Sequence, residues 1–509
     1  MARKRNKKPL HPIMTYIVLI CVIIVLSGIL GLLDVSTNYN VINAIRGNIE
    51  STTAAVKSLF NLSGLKTIFS STVANFASFA PLSMLIITLI GIGIMDKSGF
   101  LQSFFTLLTK KADKFRVTFI LALLLVFASI AGDIMFIVLI PITALFFKYS
   151  KRNPKAGVVM AFAALTVGTS INVFMNSVDS ALLSYTLLAA NSIDSSYEIS
   201  VFCNLFIMIA LTFIMALLIS SVTEKIIIPR MEKYEEENEE EFYLDKRKKR
   251  GLLFSLTIGF LYLLIFIYNI IPGLPFSGNL LDYSQTYYID KLFGYNSFFN
   301  QGFVFVITFF FFLLGFFYGL GAKTIKNNQD VSNYLGHSLD GIGKTLVLIF
   351  FASAFISIYK ESNIGNVIAA SAANLIGSSG FTGIPLIILS FVVVMVVTIF
   401  VPSTISSWSI LSGVMVPTFI NAGMTPEFAS LLFRLSASVT YGLTPVMAYF
   451  VIYLAFLNMY SEDEKPEKIT SSIKHIIPYA GYAAAIYIVI LILLYVIGIP
   501  FGIGATATI

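Results

Sequence analysis

The chain of 509 residues is 57% hydrophobic and only 12% charged, with a formal net charge of +7. A soluble domain carries roughly twice that share of charged residues, so a soluble fold is excluded. Cys21 and Cys203 both fall within apolar runs, which excludes a disulfide framework or a zinc site, and the positive charge sits in loops, where it reads as membrane topology and not as nucleic-acid binding.

Apolar runs of about 20 residues recur along the chain, the length a helix needs to cross a bilayer. The positive-inside rule places the loops between them in turn. MARKRNKK precedes a first span at residues 13–33, too long for a signal h-region and without a small-residue cleavage site, so it is expected to be retained with the N-terminus in the cytoplasm. Residues 66–108 amount to one crossing and end at the basic KKADKFR loop. Residues 117–147 run from that loop to a second basic one, KYSKRNPK. They are too few for two spans of about 20 residues, so a re-entrant hairpin is expected, with Gly132–Asp133 and Pro141 as breaks. Crossings follow at 156–190, 201–222, 251–271, 302–321, 341–378, 427–460 and 476–498, with a second hairpin over Ile384–Asn421. The fold class is therefore an all-α polytopic protein of the cell (plasma or inner) membrane, with about nine transmembrane helices and two re-entrant hairpins.

Two segments share one order of interruptions. Phe127-ASIAGDIMFIVLIP-Ile142, a turn with Pro154 and the broken VGTSINVF form one unit. Val401-PSTISSWSILSGVMVP-Thr418, a turn with Pro426 and the broken VTYGLTPV form the other. Pro141 is paired with Pro417, and charged breaks lie upstream at Asp96–Lys97 and Lys360–Glu361. Loop charges place the two hairpins on opposite sides, the inverted-repeat plan of secondary transporters. In chain order this reads as residues 1–65 (first span and outer loop, scaffold), 66–190 (first repeat unit), 191–330 (central spans with the charged cytoplasmic loop 224–250), 331–460 (second repeat unit) and 461–509 (last span and C-terminus).

NFASFAPLS from Asn75, SIAGDIMFIVLIPITALFF from Ser129, NPKAGVVMAFA from Asn153, SNIGNVIA from Ser362 and the Trp408–Phe450 stretch resemble the aminobenzoyl-glutamate transporter family, AbgT, within the ion-transporter superfamily of elevator-type carriers. The resemblance runs over nearly the whole chain. It implies a homodimer of protomers with nine spans and two hairpins, divided into scaffold and transport domains. It also implies cation-coupled movement of aminobenzoate-type carboxylates, including export of sulfonamide-like compounds. By this resemblance Asp133 matches the functional hairpin aspartate, and Trp408, Pro426 and Arg434 match the family's Trp, Pro and Arg. Three positions depart from the pattern: Ala437 replaces an aspartate, and Tyr441 and Thr398 each replace an asparagine.

The residues themselves admit two readings each. Arg434, a permanent charge in an apolar run, costs about 2.5–3.5 kcal/mol at a helix centre. It either grips a substrate carboxylate bidentately or pairs with a buried acid. Asp133 either binds a coupling cation, sodium or a proton, or caps the helix at the break. Trp408 either stacks on an aromatic substrate or anchors at the membrane interface. Ser403, Thr404, Ser406 and Ser407 either offer hydroxyls, Thr404 to a cation and Ser403 and Ser406 to substrate, or bond their own helix backbone. Asn172 is the best amide ligand of the first broken helix, with Asn176 and Asp179 nearby. Asp96, Lys97, Lys360 and Glu361 are expected to pair at the two breaks.

The expectation is thus a secondary active carrier, not an enzyme, for small aromatic carboxylates, with no cofactor and a homodimeric assembly in the lipid bilayer. A dicarboxylate or other organic-anion carrier of the same superfamily is the alternative. An intramembrane aspartyl protease at Asp133 is a distant one, since the Gly-x-Gly-Asp motif lacks its first glycine at Ile130.

Overall fold

Lipid offers no hydrogen-bond partners, so apolar runs of this length must satisfy their own backbone as helices. The computed structural model describes residues 10–43, 48–109, 112–168, 170–173, 177–232, 242–294, 297–461 and 465–509. In order these form α1 (Pro12–Leu32), strands β1 (Ser36–Asn43) and β2 (Asn48–Ala55), α2 (Leu62–Ala77), α3 (Ala80–Ser98), α4 (Phe100–Thr109), α5 (Lys114–Ala128), α6 (Ile134–Tyr149), α7 (Pro154–Gly168), α8 (Ser177–Asn191) and α9 (Leu205–Val222). The short α10 (Ile228–Arg230) leads to α11 (Lys246–Ile270), α12 (Tyr288–Phe293), α13 (Phe298–Ala322) and α14 (Asn328–Gly336). The last third holds α15 (Ile342–Ser362), α16 (Ile364–Ser378), α17 (Gly383–Phe400), α18 (Thr404–Asn421), α19 (Pro426–Thr440), α20 (Phe450–Met459) and α21 (Ile469–Ile497).

Among the described residues nine helical stretches are long and apolar enough to cross a membrane. The number agrees with the expectation, but two members differ. Length and hydropathy select Lys114–Ala131 and Gly383–Phe400, the first arms of the two hairpins, in place of 156–190 and 427–460. The latter two are each split into short helices, α7 with α8 and α19 with α20, so neither presents one long helix.

The series α3–α9 and α15–α21 contain seven helices each, in the same order. Each begins with a helix interrupted by a left-handed residue, Gly99 (φ +91°) or Asn363 (φ +58°). A helical hairpin follows, opened at its tip by residues 129–133 in one series and 401–403 in the other, then a proline-started helix, a break and a closing helix. Pro141 is not a break. It lies mid-way along the continuous α6, whereas Pro417 lies near the end of α18, so the two do not occupy equivalent places. A helix buried among neighbours tolerates proline because surrounding groups re-satisfy the freed carbonyl.

The contacts divide the chain into two units. One comprises residues 1–79, 185–199 and 344–509, the other 80–184 and 200–343. In the first, β1 and β2 pair antiparallel from Ser36↔Ala55 to Asn43↔Asn48, adding a two-stranded ribbon to the helical plan within the segment read as an outer loop. The ribbon packs on α16 and α18. Asn374 Nδ2 donates to the Asn38 carbonyl at 2.7 Å, and the hydroxyls of Thr37 and Ser371 lie 2.8 Å apart. Gly413 permits the close approach to α18, since a Cβ there would lie 2.7 Å from the Asn40 carbonyl oxygen. In the other unit α13 packs along α3 and α11, and the α5–α6 hairpin packs on α7.

Candidate functional site

The tip of the first hairpin is built from Ser129, Gly132 and Asp133. A 3₁₀ turn at Ser129–Ala131 ends at Gly132, whose φ of +72° and ψ of −156° are open essentially to glycine alone. Asp133 follows at the N-cap position of α6 with helical backbone, and its side chain makes no capping bond to that helix. Capping is therefore not its role here. The buried Ser129 hydroxyl lies 2.7 Å from both the Val126 and Gly168 carbonyls. Asn172, 6% exposed, directs its Nδ2 at the Val126 carbonyl (3.2 Å), the Phe127 carbonyl (3.3 Å) and Ser129 Oγ (3.2 Å). These carbonyls belong to the last turn of α5, where a helix end leaves acceptors unsatisfied. Asn172 thus holds the break that presents Asp133. Asp179 is buried in the first turn of α8, and Asn176 lies outside the described residues.

In the other unit, Ser403 caps α18 by accepting from the Ser406 amide at 3.4 Å, and its hydroxyl donates to Ser406 Oγ at 3.0 Å. Both side chains are exposed, with Thr404 half-buried between them. Ser407 donates to the Val401 carbonyl at 2.6 Å. These hydroxyls stabilise the tip, as the local-bonding reading expects. Trp408, one turn beyond Thr404, is fully buried, which rules out the interfacial-anchor reading. Its indole N–H donates to Thr186 Oγ1 at 3.1 Å, and its ring centroid lies 4.6 Å from that of Phe433. Phe433 directly precedes Arg434, which is 6% exposed on a helix whose every residue is buried. The Thr440 hydroxyl donates to the Met395 carbonyl at 2.9 Å, tying the end of α19 to α17. Thr398 bonds back to the Val394 carbonyl at 2.8 Å within its own helix.

Pro426 starts α19, eight residues before Arg434 and so about 12 Å away along the axis. Its neighbourhood is a turn strapped by the C-terminal segment. Thr425 N donates to the Ala507 carbonyl at 3.2 Å, Ile509 N to the Gly423 carbonyl at 3.2 Å, and Met424 bridges to Thr508. The structure gives Pro426 a place in this strapped turn, two turns of helix from Arg434. Glu427, absent from the sequence reading, is 6% exposed, and its Oε2 is buried with no hydrogen-bond partner among the described residues. Standing seven residues before Arg434, it faces the same side of α19. Its only sequence signal was an acid immediately after Pro426, which reads equally well as a first-turn helix charge.

Among the described residues, no ion pair joins Asp96 to Lys97 or Lys360 to Glu361. Tyr149 OH donates to Asp96 Oδ1 at 2.5 Å, and Lys57 meets Glu361 at 3.6 Å with both side chains about half exposed or more. Within one unit, then, Trp408 of α18 is brought onto Phe433, the residue before Arg434 on α19, with Ser403, Thr404 and Ser406 at the start of α18. Within the other, Asn172 and Ser129 hold the tip that bears Asp133. A buried guanidinium on a helix that also carries one member of an aromatic pair can meet the carboxylate of a planar molecule. A half-buried carboxylate at broken backbone can hold a sodium ion or a proton.

Residues 2–509 match the profile of the "AbgT putative transporter family". The chain is 27% identical over 500 residues to the p-aminobenzoyl-glutamate transport protein of Escherichia coli (strain K12), covering 98% of this chain and 94% of that one. Among solved structures it is similar to the Alcanivorax borkumensis YdaH transporter, at 25% identity with 97% and 100% of the two chains covered and a TM-score of 0.49. It is also similar to Neisseria gonorrhoeae MtrF, at 28% identity with 98% of each chain covered and a TM-score of 0.49.

Proposed function

From the premise that this multi-pass chain belongs to the AbgT family of transporters, we propose that it is a secondary active carrier that couples a cation gradient to movement of small aromatic carboxylates of the aminobenzoyl-glutamate kind. Family membership sets it among transporters and not enzymes, which removes the intramembrane-protease reading of Asp133. The Escherichia coli relative's cargo supports the substrate class. The observation that carries the reading is Arg434, buried in α19 immediately after Phe433, whose ring packs against Trp408. Arg434 meets the substrate carboxylate with its planar fork, and the aromatic wall orients the ring. Asp133 takes up sodium or a proton at the first hairpin, and Thr404 supplies a hydroxyl oxygen at the second. The matched order of breaks in the two helical series supports an inverted repeat working as an elevator, in a homodimer at the cell membrane with the N-terminus in the cytoplasm.

The test is uptake of radiolabelled p-aminobenzoyl-glutamate into proteoliposomes under imposed sodium and proton gradients. Arg434→Ala is expected to lower uptake at least 100-fold while leaving the size-exclusion profile unchanged, and Arg434→Lys, which keeps charge but loses bidentate geometry, to fall between. Wild-type uptake by Arg434→Ala, or uptake indifferent to both gradients, would refute the reading. The replacement of polar family positions by Ala437, Tyr441 and Thr398 keeps a dicarboxylate or other organic-anion cargo as the second reading, decided by competition in the same assay.

A further inference from the structure

Glu427, in the first turn of α19, is the acid that the transport reading leaves without a task. It is 6% exposed, and its Oε2 is shut from water with no hydrogen-bond partner among the described residues. A first-turn acid ordinarily serves its helix by capping it or by meeting its dipole. Here Thr425 already holds the cap, its hydroxyl accepting from the Phe428 amide at 3.3 Å. The turn before Glu427 is closed by residues 501–509. The Thr425 amide donates to the Ala507 carbonyl at 3.2 Å, its hydroxyl donates to the Thr506 carbonyl, and Phe428 packs on the buried Phe501 with ring centres 6.2 Å apart. No described group there supplies a counter-charge. α17, α18 and residues 501–509, which pack on α19 or its preceding turn, hold no charged side chain. α21 holds Lys474 and His475 in its first two turns, at the end remote from residues 501–509. The loop after α8 brings Tyr197 into electrostatic range of Glu427 and of Asp194, and neither of these neighbours is a cation. Arg434 stands seven residues on, about 10 Å along the axis.

A carboxylate deprived of water, partner and counter-charge is neutralised, because burying the bare charge costs more than taking up a proton. We propose that Glu427 is a proton-binding site: it holds a proton while its turn is closed and releases it when movement of α19 brings the turn to water. Among the described residues no group of His, Cys, Asp and Glu side chains gathers to hold a metal ion, which points to a proton as the neutralising charge. Glu427 lies on the face of α19 that carries Arg434. Release of the proton therefore adds an anion to the helix face of the substrate-binding arginine, and links the charge at 427 to the state of that site. The release step rests on the transport reading, since a moving α19 must uncover the turn. The binding step rests on burial alone.

Infrared difference spectroscopy of the full-length protein in detergent tests the proton directly. At neutral pH the wild type is expected to show the carbonyl stretch of a protonated carboxyl that Glu427→Gln lacks, the other acids cancelling in the difference. Glutamine has the shape of the neutral acid, so the variant should melt with the wild type, whereas removing an ionised and paired Glu427 would leave its partner charge buried and lower the melt. Identical spectra, a lower melting temperature or failure of Glu427→Gln to fold would each overturn the proposal. In proteoliposomes with p-aminobenzoyl-glutamate, the variant cannot release a proton. It should therefore lower gradient-driven accumulation roughly tenfold more than it lowers exchange of labelled for unlabelled substrate, which needs no net proton release. Equal effects on the two would overturn the release step. If the wild type carries no p-aminobenzoyl-glutamate, the transport reading falls and the release step with it, while the infrared band still decides the proton site.

Discussion

Gly132→Ala tests how the first hairpin presents Asp133. Among the described residues, an added Cβ at position 132 would meet no atom within 4 Å, so the substitution introduces no clash with them. Its whole effect must come from the backbone, held at φ +72° and ψ −156°, a region that costs a residue with a side chain about 1–3 kcal/mol. That corresponds to a shift of roughly 5- to 150-fold in the ratio of native to relaxed tip. Relaxation is opposed by the Gly132 N–H bond to the Ser129 carbonyl at 2.9 Å and by the Asn172 and Ser129 bonds across the break. Releasing each costs about 1 kcal/mol net. The expected outcome is a thermal unfolding shift equivalent to about 1–3 kcal/mol, with uptake reduced by a similar factor in proteoliposomes. Asn172→Ala, which removes the clamp while keeping Gly132, should weaken the same tip and add less than its full effect when combined with Gly132→Ala. If Gly132→Ala matches the wild type in both unfolding and uptake, the tip is not held by that conformation and its role in setting Asp133 is wrong.

Gly413→Ala should destabilise by about 1–3 kcal/mol, because its Cβ would intrude to 2.7 Å from the Asn40 carbonyl. Gly481→Ala, in open space on α21, is the control and should be neutral or mildly stabilising in the same thermal melts. Trp408→Phe keeps a ring against Phe433 but removes the donor to Thr186; it should cost about 1–3 kcal/mol, and a melt indistinguishable from wild type would show that the bond contributes nothing. Glu224→Gln leaves the Arg152 guanidinium, only 10% exposed, without its counter-charge. A loss near the lower end of about 3–5 kcal/mol is expected, while Arg152→Met/Glu224→Leu should recover most of it, a double-mutant cycle that separates pairing from burial.

Much of the helical plan was legible because its cues are local. A Gly–Asp pair in an apolar run marked the first tip, and Val401–Ser403 the second, since glycine, proline and short polar side chains act on their own backbone. The break at 441–449 and the left-handed Asn363 lay where polar residues interrupt apolar ones. Pro141 misled for the complementary reason: whether proline breaks a helix depends on neighbours that can re-satisfy a carbonyl, and those come from other elements. The β1–β2 ribbon was missed because STNYNVIN and NIESTTAA lack a clean apolar alternation; their packing face appears only once α16 and α18 lie against them.

For the candidate site, the sequence singled out Arg434 and Asp133 as charges within apolar runs and Trp408 as the chain's single tryptophan, while apolar run length and loop charge determined the membrane class, the approximate number of spans and the positions of both hairpins. These properties follow from the transfer cost of polar groups and from the length of an apolar run, each readable one segment at a time. Only the tertiary structure decided what those residues touch. It joined Trp408 to Thr186 across 222 positions, buried Glu427 on the Arg434 face, assigned Asn172 to the α5 carbonyls and strapped the Pro426 turn with residues 506–509. Hydrogen bonds and close packing act over a few ångströms in space, between segments whose separation along the chain carries no record of their meeting.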